Sequence, residues 1–145
     1  MASFTKPQPL LPLALLLVLS SPRAGEGAPN TAARSVLCNG AVYGVGDPFA
    51  ASLAYVLDEL LAETPARAAP ARDMYSISPY PNAFAYGRAA CRGAGGGAGV
   101  TAADCASCLG AAVGRMNATC GHAIGARALL VDCSVRYEQY AFVDF

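Results

Sequence analysis

Hydrophobic and polar positions follow three different patterns along the chain, and each pattern marks a different kind of segment. From Leu10 to Leu19 the sequence is apolar, with Lys6 before it and small residues around Gly25 and Gly27 after it. Ten apolar residues fall well short of the ~20 needed to cross a bilayer. A basic start, a short greasy centre and small residues beyond it make a secretory leader, so residues 1–27 are expected to be removed, leaving a single domain over residues 28–145. Asp47-Pro48 then opens a helix, Asp accepting from first-turn amides and Pro suiting the first helical position. Leu53, Val56, Leu57, Leu60 and Leu61 recur at helical spacing with Asp58, Glu59 and Glu63 on the other face, and Thr64-Pro65 ends the run. The Ala- and Pro-rich stretch from Thr64 to Arg72 reads as a loop. Met74 to Ser78 and Ala83 to Cys91 read as strands flanking a turn at Pro79-Tyr80-Pro81-Asn82. Thr101 and Asp104 are candidate caps of a second helix, which carries Cys105, Cys108, Leu109, Ala112, Val113 and Met116 on one side and closes at Gly121 or Gly125. Ala128 to Val131 and Ser134 to Phe142 are β-prone and finish the chain as strands. This order predicts an α+β fold with helices on one face of a small antiparallel sheet.

Six cysteines, at positions 38, 91, 105, 108, 120 and 133, follow the leader, and an even count in a secreted chain reads as a disulfide framework. Cys105-Ala106-Ser107-Cys108 invites a redox or zinc reading. A redox pair would follow a βαβ pattern, which is missing, and zinc would need a second close pair or two histidines, whereas His122 is the only one in the chain. Residues three apart on a helix share a face, so Cys105 and Cys108 can bond outward to two different strands. Cys120 near His122 resembles a thiol nucleophile beside a base, but a cysteine held in a disulfide cannot attack. Asp132 and Glu138, six residues apart, are the candidates for a glycoside-cleaving pair, and that offset alone does not make them one. No enzyme activity, metal or cofactor is expected.

Charge narrows the partners. Without the leader the chain has eight basic residues, all Arg, against nine acidic ones, and no basic run. Neither nucleic acid nor an anionic membrane surface suits such a chain, and no second apolar segment suggests an integral membrane span. The tract Gly93 to Gly99 lacks the Lys-Ser/Thr ending of a phosphate-binding loop and reads as a flexible surface insertion.

FAYGRAAC (Phe84 to Cys91), DCASCL (Asp104 to Leu109), CGHAIGAR (Cys120 to Arg127) and VDCSVRYEQYAF (Val131 to Phe142) together resemble the ginkbilobin-type antifungal domain of plants, also called the cysteine-rich, salt-stress-response/antifungal domain. The resemblance extends from Asn30 to Phe142. It implies two helices on a five-stranded antiparallel sheet and disulfides Cys38 with Cys120, Cys91 with Cys105, and Cys108 with Cys133. Spacing alone leaves fifteen pairings open. One departure stands out, since Arg92 to Asp104 supplies thirteen residues where the family usually has eight between its second and third cysteines.

The resemblance further implies a secreted, apoplastic defence lectin that binds mannose or the mannans of fungal walls, with Asn39, Arg127 and Glu138 as the binding residues. Their chemistry suits a sugar: an amide with donors and an acceptor, a fork of donors, and an acceptor for hydroxyl protons. Each also has a plainer reading, Asn39 as a turn residue after a cysteine, Arg127 as a solvated charge at a strand edge, and Glu138 as the partner of an Arg such as Arg136. A second functional reading is an apoplastic module that binds a protein partner without sugar activity, because receptor-like kinases and plasmodesmal proteins share the domain. Asn117-Ala118-Thr119 is a glycosylation sequon open to a secretory route, with Asn117 otherwise an unmodified helix-surface residue.

Overall fold

Both helices begin where the sequence supplies an acceptor for free amides. In the computed structural model, which describes residues 28–68, 72–93 and 99–143, helix α1 spans Phe49–Glu63 and the Asp47 carboxylate accepts from the Phe49 N–H at 3.0 Å. Helix α2 spans Ala102–Cys120 behind the cap residue Thr101, whose hydroxyl accepts from the Asp104 N–H at 3.1 Å. Asp104, expected as a cap, therefore lies inside the first turn, where its negative charge complements the positive helix end. Gly121 ends α2 at φ 55°, in the left-handed region that glycine adopts without a Cβ penalty. The leader, residues 1–27, and the centre of the Gly-rich tract, residues 94–98, lie outside the described residues.

Five strands form one sheet: β1 Ala33–Cys38, β2 Asp73–Ile77, β3 Tyr86–Cys91, β4 Ala126–Leu130 and β5 Cys133–Glu138. They are antiparallel throughout, in the order β1-β4-β5-β3-β2. Strand β1 is absent from the pattern-based expectation. It is an edge strand with exposed or half-buried residues along its length, so it lacks the strict alternation that betrays a half-buried strand. Strand β3 begins at Tyr86 rather than Ala83, because the Ala85 N–H bonds to the Ser78 hydroxyl and closes the β2–β3 connection instead. Strand β5 stops at Glu138 rather than Phe142. Beyond it the chain folds back over β2, where the Phe142 N–H donates to the Tyr75 hydroxyl at 3.1 Å and the two rings lie 5.3 Å apart.

The helices cover one face. Phe49, Val56 and Leu60 of α1 and Leu109, Ala112 and Met116 of α2 are buried against it. Helix α1 approaches β3 closely because Gly87 has no side chain; a Cβ there would collide with Val56 and Leu60. Disulfides Cys91–Cys105 and Cys108–Cys133 pin α2 to β3 and β5, and Cys38–Cys120 ties the end of β1 to the end of α2. These are the pairs that the resemblance implies. The first two bridges are buried, whereas Cys38 is exposed. Side chains alternate across a strand, so the sheet presents a second, helix-free face, and the register aligns Leu37, Arg127, Arg136, Arg88 and Tyr75 in one row across all five strands.

Candidate functional site

The helix-free face holds a cavity of about 380 Å³ at the β1–β4–β5 end of the sheet, lined by Asn39, Gly125, Arg127, Arg136 and Glu138 together with Leu37 and Cys38. Asn39, Arg127 and Glu138 are thus brought together, from the end of β1, the outward side of β4 and the last residue of β5. Strand β4 lies between the other two, which lets residues distant in sequence share one depression.

Asn39 is fixed twice. Its backbone N–H donates to the Gly125 carbonyl at 2.8 Å, extending the β1–β4 pairing, and its side-chain Oδ1 accepts from the Ala41 N–H at 3.2 Å. The turn role considered for Asn39 is therefore present, and it leaves the side-chain NH2 as the group with donors to offer. Arg127 is half-buried on a strand flanked on both sides, not at an edge.

Glu138 is 8% exposed. Its Oε1 accepts from Arg136 Nε at 3.2 Å, which is the Arg136 pairing considered from the sequence. Its Oε2 is buried with no hydrogen-bond partner among the described residues. An unpaired buried acceptor is costly, and this one sits against the Cα of Gly125, where a Cβ would collide with it. Sequence reasoning assigned neither Arg136 nor Gly125 to the site. A strand period of two would have put Arg136 beside Glu138, but nothing local to Gly125 signals its place under a carboxylate.

Arg136 joins the cavity to the returning chain end. Its guanidinium carbon lies 4.3 Å from the centre of the Phe142 ring, a cation–π distance, and Nη2 is 3.5 Å from the Tyr140 hydroxyl. Burial opposes its charge, but the hydrogen bond and attraction of Glu138, with a smaller part from Tyr140, outweigh burial and hold Arg136 above its ordinary range. On the other face Tyr137 is pushed up to about 12, chiefly by burial and then by the nearby Tyr43 and Glu138. Its hydroxyl donates to the Ala123 carbonyl at 2.8 Å, so Tyr137 belongs to the core.

The other candidates separate. Cys120 is bonded to Cys38, and His122 stacks on Tyr43 with ring centres 5.1 Å apart, so no thiol–imidazole pair exists there. Asp132, just before β5, and Glu138, at its end, point from the same face but six residues apart, ~20 Å at strand rise, far beyond the ~5 to 9.5 Å of glycosidase carboxylates. Asp132 is held by the Asn30 N–H at 2.7 Å and by Arg92 at 2.8 Å. Burial raises its pKa, and these bonds outweigh that and hold it below the usual carboxylate range. Asn117 is exposed in the last turn of α2, on the helical side of the sheet. Among the described residues no helix is long and apolar enough to cross a membrane.

Fold and site define a disulfide-bridged α+β module with a polar cavity on the uncovered face of its sheet. The chain belongs to the salt stress response/antifungal family, whose family model matches residues 37–140. It is 35% identical over 141 residues to antifungal protein ginkbilobin-like protein 1 of Picea glauca, covering 92% of this chain and 90% of that one. It is 36% identical over 123 residues to antifungal protein ginkbilobin-2 of Ginkgo biloba, covering 79% and 81%. Among solved structures, the tandem DUF26 ectodomain of the Arabidopsis thaliana cysteine-rich receptor-like protein PDLP5 matches at a TM-score of 0.64 and 19% identity, and that of PDLP8 at 0.59 and 26%. The match covers 77% of this chain in both cases but only 52% and 47% of the ectodomains, so the chain spans about half the length of these tandem structures.

Proposed function

We propose that the protein is a secreted, apoplastic antifungal lectin that binds mannose and acts on the mannans of fungal walls, with Asn39, Arg127 and Glu138 as its binding residues. The observation that carries this reading is the shared cavity: three side chains from separate segments converge on about 380 Å³, with a buried carboxylate oxygen lacking a partner at its floor. A sugar hydroxyl can supply the missing proton after a small rotation of the Glu138 carboxylate, while Asn39 and Arg127 donate to neighbouring sugar oxygens. The antifungal names of the spruce and ginkgo relatives support the wider role. Such groups bind a hexose without reacting with it. A glycan on Asn117 would stand on the far side of the sheet and leave the cavity open.

A single sugar exchanges one set of hydrogen bonds for another, so the monosaccharide binds weakly, and clustered mannans bind better through raised effective concentration. Calorimetry or NMR titration with mannose, against glucose and galactose, is expected to show mannose-dependent binding that Arg127→Ala and Glu138→Ala abolish while the fold persists. Each lost charged hydrogen bond removes about 1.5 to 3 kcal/mol from an already weak complex. Absence of any mannose effect in the wild type, or equal binding by both variants, overturns the lectin reading. A protein-interaction module then takes its place, a reading favoured by Leu37 and Leu129, which lie exposed on the same uncovered face, and by the likeness to a receptor-like protein ectodomain at 26% identity.

A further inference from the structure

We propose that the uncovered face carries a second saccharide subsite, so that its ligand is a linear oligosaccharide of about four hexose units lying along β4 and β5. This rests on the reading of the Asn39, Arg127 and Glu138 cavity as a sugar site. A second cavity, of about 240 Å³, is lined by Ala90, Arg92, Leu129, Asp132 and Ser134. By strand alternation these five share the outward parity of Arg127, Arg136 and Glu138; Cys91, Leu130 and Cys133, which also line the cavity, face the helices, and the cross-strand row Leu129, Ser134 and Ala90 sets the depression on the uncovered face. The pairs Arg127–Arg136 and Leu129–Ser134 stand in adjacent outward rows of β4 and β5, which makes the two depressions neighbours along one strip. From Glu138 to Asp132 the strip runs six residues, ~20 Å at strand rise, roughly the length of four pyranose rings at ~5 Å each.

The chemistry of the strip selects a neutral, hydroxyl-rich chain. Outward along β5 come Ser134, Arg136 and Glu138, a hydroxyl, a donor and an acceptor in turn, preceded by Asp132, whose oxygens are held by Arg92 and Asn30. Sugar hydroxyls both donate and accept and can follow that order. Leu129, 38% exposed in the wall of the second cavity, offers an apolar patch for the C–H face of a ring. The returning chain end forms one bank: Phe142 lies beside Arg136, and the Val143 carbonyl accepts from Arg88. That bank covers the β2–β3 side and reaches Arg136 on β5, leaving Leu129 and the half-buried Arg127 of β4 as the more open residues of the strip. The strip ends at Asp132, whose carboxylate ties down both Arg92 and the Asn30 backbone.

Titration with mannose and with linear manno-oligosaccharides of two to five residues tests the proposal. Affinity is expected to rise about 30-fold from the monosaccharide to the tetramer and to level off at the pentamer, as added rings gain contact area within one binding event. Leu129→Ala is expected to weaken tetramer binding about fivefold with mannose binding unchanged, and in NMR spectra the Leu129 and Ser134 amides are expected to shift with the tetramer but not with mannose. A tetramer bound no better than about fourfold over mannose, the gain from multiple equivalent units alone, overturns the second subsite while leaving the mannose site standing. Tetramer binding that moves Leu129 and Ser134 but is indifferent to Arg127→Ala and Glu138→Ala would leave the second cavity as a saccharide site on its own and overturn both the mannose site and the four-unit span. No binding by any saccharide overturns both.

Discussion

Gly125 holds open the space that Glu138 occupies. Its lack of a side chain lets the carboxylate rest on the β4 backbone with one oxygen on Arg136 and the other unpaired. Gly125→Ala must push the carboxylate off that position, and the obvious room for it to move into is the cavity. Because the displaced atoms are the end of a side chain, the expected stability loss is about 1 kcal/mol, while mannose binding is lost. Calorimetric melting alongside a mannose titration separates the two effects, and a variant that binds as wild type would show that the carboxylate position is immaterial. The three proposed binding residues entered through family resemblance, since nothing local distinguishes Asn39 from an ordinary turn residue or Glu138 from an ordinary ion-pair partner. Both plainer roles are in fact present, and each occupies only part of its side chain. Arg136 was within reach of the strand period, whereas Gly125 became visible only once β4 and β5 lay side by side.

At the scale of elements, the loop after β3 has a definite prediction. The Val100 N–H donates to the Arg92 carbonyl at 3.2 Å, so the residues on either side of the Gly-rich tract are already joined. Deleting residues 94–98 would leave Arg92-Gly93-Gly99-Val100, with that same bond closing a four-residue turn over two glycines. Shortening a loop recovers roughly 0.6 kcal/mol per halving, so the deletion is expected to melt at the same temperature as wild type or slightly higher, with mannose binding kept. A marked fall in melting temperature would show that the tract packs against the domain.

The neighbouring contact of Asp132 gives a pH dependence. Its folded pKa lies below its unfolded one, so its contribution to stability is fully present above the unfolded value of ~3.9 and fades as pH falls through the lower folded value. Asp132→Asn is expected to melt below wild type at pH 7, with the gap closing under about pH 4. A gap that does not change with pH would mean that the carboxylate charge contributes nothing. Both helices were legible because each carries a one-sided apolar stripe, and β2 and β3 because they are bounded by turn residues. Strand β1 was not, since an edge strand whose burial comes from one neighbour has no alternation to read. The stop of β5 was hidden for a related reason, because Tyr140 and Phe142 are as β-prone as the strand and leave it only through contacts with Arg136 and Tyr75.

For the molecule as a whole, the three bridges divide into two kinds. Cys91–Cys105 and Cys108–Cys133 are sealed inside the core, whereas Cys38–Cys120 begins at an exposed residue that itself lines the cavity, one position before Asn39. Thiolate attack requires access, so limited reductant followed by alkylation and peptide mapping is expected to label Cys38 and Cys120 first, with the sheet signature in circular dichroism retained. Simultaneous labelling of all six cysteines would mean that the bridges open only with global unfolding. Ligand recognition and architecture thus answer to different chemical conditions: an oxidised, folded molecule that later meets a mild reductant could keep its helices on its sheet and its two buried bridges yet lose the tether behind Asn39. Two preparations with the same helix and strand content could then differ entirely in what they bind, and the oxidation state of one bond would tell them apart.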